Sequence, residues 1–93
     1  MEESTKIEKF SSDNFGLWKD NIEDILYQKD NLYLALQGKK KKPEKMSDED
    51  WDLLDRKALG VVRLTVANSV ISNVRKETTT KGLMDALSRL YET

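Results

Sequence analysis

Three aspartates at alternate positions, Asp48, Asp50 and Asp52, are the residues of this sequence whose spacing comes nearest to a metal site. Carboxylates spaced in this way open the calcium loop of an EF-hand, which also needs a glycine at its sixth position and a glutamate at its twelfth. Those positions hold Leu53 and Leu59, so no calcium site is predicted. We expect the aspartates to lie at the amino terminus of a helix, where the helix dipole favours negative charge.

Catalysis is restricted by two missing residue types, because the 93-residue chain contains no histidine and no cysteine. Ser-His-Asp and Cys-His arrangements therefore lack a base or a nucleophile. A zinc site of cysteine and histidine cannot form either. The four glycines stand singly, at positions 16, 38, 60 and 82, and make no phosphate-binding loop. We predict a protein that is not an enzyme, with no cofactor, no metal and no small-molecule substrate.

A run of lysines, Lys39, Lys40, Lys41 and Lys42, opens the segment KKKKPEK. One interpretation is a nucleic-acid contact. The other is a basic linker loop over residues 39–46, in which Pro43 prevents a helix and like charges keep the chain extended. No aromatic residue interleaves the lysines, and 16 basic against 17 acidic residues give a net charge of −1. The linker is therefore favoured, and direct nucleic-acid binding is expected to be weak or absent.

The elements that carry these residues are predicted to be helices, because apolar residues recur at steps of three and four. The sequence predicts an all-α fold, a compact bundle of about five helices. The predicted core anchors are Phe15, Trp18, Ile22, Trp51, Leu54, Leu59, Val62, Leu87 and Leu90.

Turn and cap residues divide this pattern into separate helices. Asp13 or Asn14 is expected to cap the first helix, and Asp30-Asn31 to interrupt it. Gly38 is predicted to close a short second helix in a left-handed conformation.

Later in the chain, Ser47 and Thr79 are the predicted caps of two further helices. A break is expected near Asn68-Ser69, and Gly60 suggests a close helix crossing.

The chain is long enough for one domain, predicted to span residues 1–93, with residues 1–8 flexible. The acidic amino-terminal segment has no apolar run, so it does not read as a signal peptide. No apolar stretch approaches the roughly 20 residues that a membrane span needs. We expect a soluble intracellular domain without membrane contact.

Three motifs in order resemble the amino-terminal region of Gag from copia-type LTR retrotransposons. They are KFSSDNFGLWK from Lys9, LYLALQGKKKKPEKMSDEDWDLLDRKAL, and TTTKGLMDALSRLYE. The resemblance implies a helical domain like the amino-terminal domain of retroviral capsid. It also implies a structural role in a cytoplasmic virus-like particle, with other Gag chains as partners.

Two alternatives remain open beside this structural role. A domesticated Gag-derived adaptor or restriction factor would bind other Gag chains through the same surface. An RNA-binding module would work through the lysines at 39–42. For assembly itself, the candidate face is Tyr27 on the first helix and Leu53 beside Trp51, since both lie off the predicted core stripes.

Overall fold

The computed structural model describes residues 14–29 and 31–91, which form helices joined by short turns. The α-helices are α1 (Phe15–Tyr27), α2 (Asp48–Leu64), α3 (Asn68–Val74) and α4 (Thr80–Tyr91), and two 3₁₀ helices (Leu32–Gln37 and Lys39–Lys41) connect α1 to α2. These ranges contain no strand, which confirms the all-α prediction. In the same ranges no helix is long and apolar enough to cross a membrane. The predictions for residues 1–8, Asp13 and Asp30 fall outside the described residues.

One core lies between the apolar faces of these helices. Of the predicted anchors, seven are buried and Leu54 packs against the core half-buried. The buried anchors are Phe15, Trp18, Ile22, Trp51, Leu59, Val62 and Leu87. The spacing of three and four residues placed them on one side of each helix, and burial on that side removes their apolar surface from water.

Leu90 was wrongly predicted as a core residue, since 55% of its surface is exposed. The last turn of α4 packs Tyr91 against the core instead. Tyr91 stands four residues after the buried Leu87 and therefore lies directly above it on the helix. Leu90 is left at the edge of the buried face.

A hydrogen bond between distant parts of the chain fixes α1 against the end of α2. The indole nitrogen of buried Trp18 donates to the Thr65 hydroxyl over 2.8 Å, and that hydroxyl donates to the Val62 carbonyl over 2.7 Å. The buried indole is thereby satisfied. Helix α2 ends at Leu64, so the break that follows it comes a few residues before Asn68-Ser69, where it was predicted.

Side chains cap the starts of α2 and α4, as predicted. The Ser47 hydroxyl accepts from the Asp50 amide over 3.0 Å, and the Thr79 hydroxyl accepts from the Gly82 amide, also over 3.0 Å. A second contact at α4 comes from α2, where the Asp55 carboxylate accepts from the Thr80 amide over 2.9 Å. This bond ties the start of α4 to the middle of α2.

The two glycines singled out by sequence differ in their environment. Gly38 has φ +89°, a backbone conformation that favours glycine, and a Cβ there would displace the flexible Lys81 side chain, whose Cδ would lie 2.6 Å away. The predicted close helix crossing at Gly60 is wrong. The nearest atom to a Cβ at that position is the Arg56 guanidinium nitrogen, at 3.5 Å. Gly60 faces away from the core.

Candidate assembly surface

The acidic cluster lies in the first two turns of α2, as predicted. Asp50 receives the Ser47 cap through its backbone amide. The Asp48 carboxylate lies 3.6 Å from the ammonium of Lys42 and 4.0 Å from that of Lys39. Among the residues that the structure describes, no three acidic side chains come together in a way that could hold a metal ion. The cluster stabilises the start of α2 and offsets the neighbouring lysines.

The lysine segment is folded back onto α2. Lys39–Lys41 form a 3₁₀ turn, so the prediction of an extended chain is wrong for these residues. The turn follows Gly38, whose φ is positive but whose ψ of 161° is not that of the predicted left-handed helical conformation. The Lys42 ammonium is held by the Met46 carbonyl at 2.6 Å as well as by Asp48. Lys40 and Lys41 remain exposed. Part of the positive charge is therefore neutralised within the domain.

The two residues proposed from sequence for assembly are both on the surface. Tyr27 ends α1 with 67% of its surface exposed, and its ring packs against that of Tyr33 with 4.5 Å between centroids. Leu53 is 58% exposed on the outer face of α2. The two residues stand on different helices.

Two further leucines belong to the same outer faces and were missed by the sequence analysis. Leu17 on α1 is 58% exposed and Leu64 at the end of α2 is 78% exposed. A signal for both was present, because Leu17 stands ten residues before Tyr27 and Leu64 eleven residues after Leu53. About three helical turns separate the members of each pair, so each pair shares a face.

A groove runs between the end of α1 and the outer face of α2, with a volume of about 670 Å³. Its exposed cations, Lys29, Arg56 and Lys57, form a polar rim, and buried Leu32 with half-buried Val61 forms an apolar floor. We call this the basic groove. The residues that line it are Gln28, Lys29, Leu32, Arg56, Lys57, Gly60, Val61 and Leu64. Apolar surface under a cationic rim suits an amphipathic, acidic protein segment better than a bare phosphate.

A second hollow, of about 460 Å³, lies between the first 3₁₀ helix, α2 and the start of α4. Buried Trp51 forms part of its wall, and Asp52, Asp55 and Asp85 are among the acidic residues around it. Two of these carboxylates already have partners. Asp55 accepts from the Thr80 amide, and Asp85 pairs with Lys81 at 2.9 Å. The residues around this hollow therefore hold the helices together.

One curated protein is similar to this chain over nearly the whole length of the chain. It is the retrovirus-related Pol polyprotein from transposon TNT 1-94 of Nicotiana tabacum, which is 36% identical over 87 residues. The match takes in 92% of this chain and 6% of that polyprotein, so the chain corresponds to a small part of its relative. No family model matches the chain, and no solved structure matches it. The similarity confirms the resemblance to copia-type retrotransposon polyproteins.

Proposed function

We propose that this chain, a relative of copia-type retrotransposon polyproteins, is a structural Gag domain that packs against other Gag chains in a cytoplasmic virus-like particle. One observation carries the proposal: large apolar side chains are exposed on the outer faces of α1 and α2, although the inner faces of both helices are packed. Apolar residues grouped on one surface commonly mark protein contacts, and each of these two faces carries two of them.

The charge distribution also supports a protein partner. The lysines at 39–42 share a surface with the acidic start of α2, which weakens attraction to a phosphate backbone. The basic groove, by contrast, has an apolar floor that a nucleic-acid backbone would leave unfilled. A contact between protein chains would use both the cations and the apolar floor of the groove, and it involves no chemical reaction.

The experiment that tests this function uses the longest natural reading frame that contains the chain. Tyr27→Glu and Leu53→Glu each place a charge where we propose an apolar contact. We expect both proteins to fold normally and to form few or no particles, as judged by electron microscopy and sedimentation. Thr78→Glu is a matched control, because it adds the same charge at an exposed loop position outside α1 and α2.

Two results would count against the proposal. One is particle formation by both variants with normal yield and size, which would exclude these faces from assembly. The other is the absence of particles from the unaltered protein. If the chain instead lowered the particle yield of an intact Gag on co-expression, the adaptor or restriction-factor alternative would be favoured.

A further inference from the structure

The outer face of α1 carries an acidic stripe with apolar ends. Leu17, Asp20, Asp24 and Tyr27 follow one another at steps of three, four and three residues, so they share one face of the helix. All four are exposed. Asp20 and Asp24 take part in none of the ion pairs within the described part of the chain. We call these four residues the acidic stripe.

The outer face of α2 carries the opposite charge between two apolar ends. Arg56 and Lys57 lie between Leu53 and Leu64, and each of these four side chains is exposed. Neither cation forms an ion pair with a carboxylate of the described residues. Gly60 adds no side chain to this face, which leaves the basic groove open beside Leu64.

The acidic stripe on α1 and the charged outer face of α2 have similar lengths. At 1.5 Å per residue, Leu17 and Tyr27 are separated by ~15 Å along α1, and Leu53 and Leu64 by ~16 Å along α2. When one helix is laid antiparallel against the other, the apolar ends can meet while Asp24 lies opposite Arg56 and Lys57. Asp20 then lies opposite Gly60, about one helical turn from Lys57. The groove supplies apolar floor for a leucine or a tyrosine ring.

We propose that the acidic stripe of one copy of the chain docks in the basic groove of a second copy. This inference rests on the proposed function and assigns the two surfaces of that contact. Opposite charges would steer the two copies into register, and the apolar ends would supply the buried area.

The contact joins two different surfaces, so it leaves one stripe and one groove available on a pair of copies. Repetition then builds a ring or a longer array. A patch of about four residues on each side is well below the roughly 800 Å² per partner of a stable complex. We therefore expect weak association of the chain alone, strengthened in a particle by many linked contacts.

The test is a charge reversal of each surface, followed by mixing. Asp20→Lys/Asp24→Lys makes the stripe basic, and Arg56→Glu/Lys57→Glu makes the groove acidic. At about 50 mM salt, where surface charges are weakly screened, the unaltered chain should associate in sedimentation at millimolar concentration. Each reversed variant should bind itself about tenfold more weakly or worse. A mixture of the two should associate again, because each then meets a surface of opposite charge.

Lys40→Glu/Lys41→Glu is the matched control, since it changes the net charge as much as the groove reversal and leaves both surfaces intact. It should associate like the unaltered chain. The pairing is wrong if the folded reversed variants associate normally, if the mixture stays monomeric, or if the unaltered chain does not associate. Normal association of the reversed variants together with loss of particles in Tyr27→Glu would reject this pairing and leave the proposed function standing.

Discussion

Two basic regions of this domain differ in what surrounds their charges. The lysine turn at 39–42 has the higher charge density, yet Asp48 and the Met46 carbonyl hold two of its ammonium groups. The basic groove has fewer cations, but Arg56 and Lys57 lack carboxylate partners among the described residues and stand above an apolar floor. The charge of the lysine run is therefore partly neutralised within the domain, whereas that of Arg56 and Lys57 is not.

The largest effect is expected from a change in the buried residue beside the lysine turn. Trp51 is buried to 2% exposure, and it lines the hollow that also contains Gly38 and Lys39. Trp51→Ala should lower the free energy of unfolding by about 3–5 kcal/mol through lost burial and an unfilled cavity. Chemical denaturation followed by circular dichroism measures this loss.

Leu90→Ala is the control for that measurement, because Leu90 is mostly exposed at the edge of the core. It should lower the free energy of unfolding by less than about 1 kcal/mol. Equal losses in the two variants would contradict the arrangement of the core described above.

A smaller effect is expected at Gly60, which lies in the basic groove. Alanine is favoured over glycine within a helix by about 0.5–1 kcal/mol. The added methyl group would meet only the Arg56 guanidinium, at an ordinary contact distance of 3.5 Å. Gly60→Ala should therefore raise the free energy of unfolding by this amount, as measured by thermal and chemical denaturation. A destabilised variant would mean that another helix crosses closely at Gly60 after all.

The smallest effect is expected in the lysine turn. Replacing Lys39, Lys40, Lys41 and Lys42 by glutamine should lower the free energy of unfolding by no more than about 1 kcal/mol, since the Asp48 partner of both ion pairs is exposed and only Lys42 is partly buried. Self-association and particle formation should remain close to normal. RNA binding by the unaltered chain, measured by fluorescence anisotropy at physiological salt, should be weak. A sub-micromolar, salt-dependent affinity lost in the glutamine variant would reverse the ranking of the two basic regions.

The sequence was informative about the inner faces of the helices, because burial follows the helical period. Trp18, Ile22 and Val62 could be placed in the core from spacing alone. Local chemistry also predicted the Ser47 and Thr79 caps, since each bond spans only three residues.

Long-range relations were not predictable in this way. The Trp18–Thr65 bond joins residues 47 apart in the chain, and the Asp55–Thr80 bond joins residues 25 apart. Leu90 stands at a helical spacing from the buried residues of α4, but spacing does not show how far along a helix the neighbouring elements cover it. The basic groove was missed for the same reason, because Lys29 and Arg56 come together only when α1 and α2 pack.

We propose that copies of this chain meet through the acidic stripe and the basic groove. The most direct test of this pairing exchanges both charge pairs in one chain: Asp20→Lys, Asp24→Lys, Arg56→Glu and Lys57→Glu. This leaves the net charge at −1. By sedimentation, the exchanged chain should bind itself about as tightly as the unaltered chain, because attraction between the surfaces is restored. It should not bind the unaltered chain, because like charges would then meet. If the folded, exchanged chain stays monomeric where the unaltered chain associates, the two surfaces do not pair.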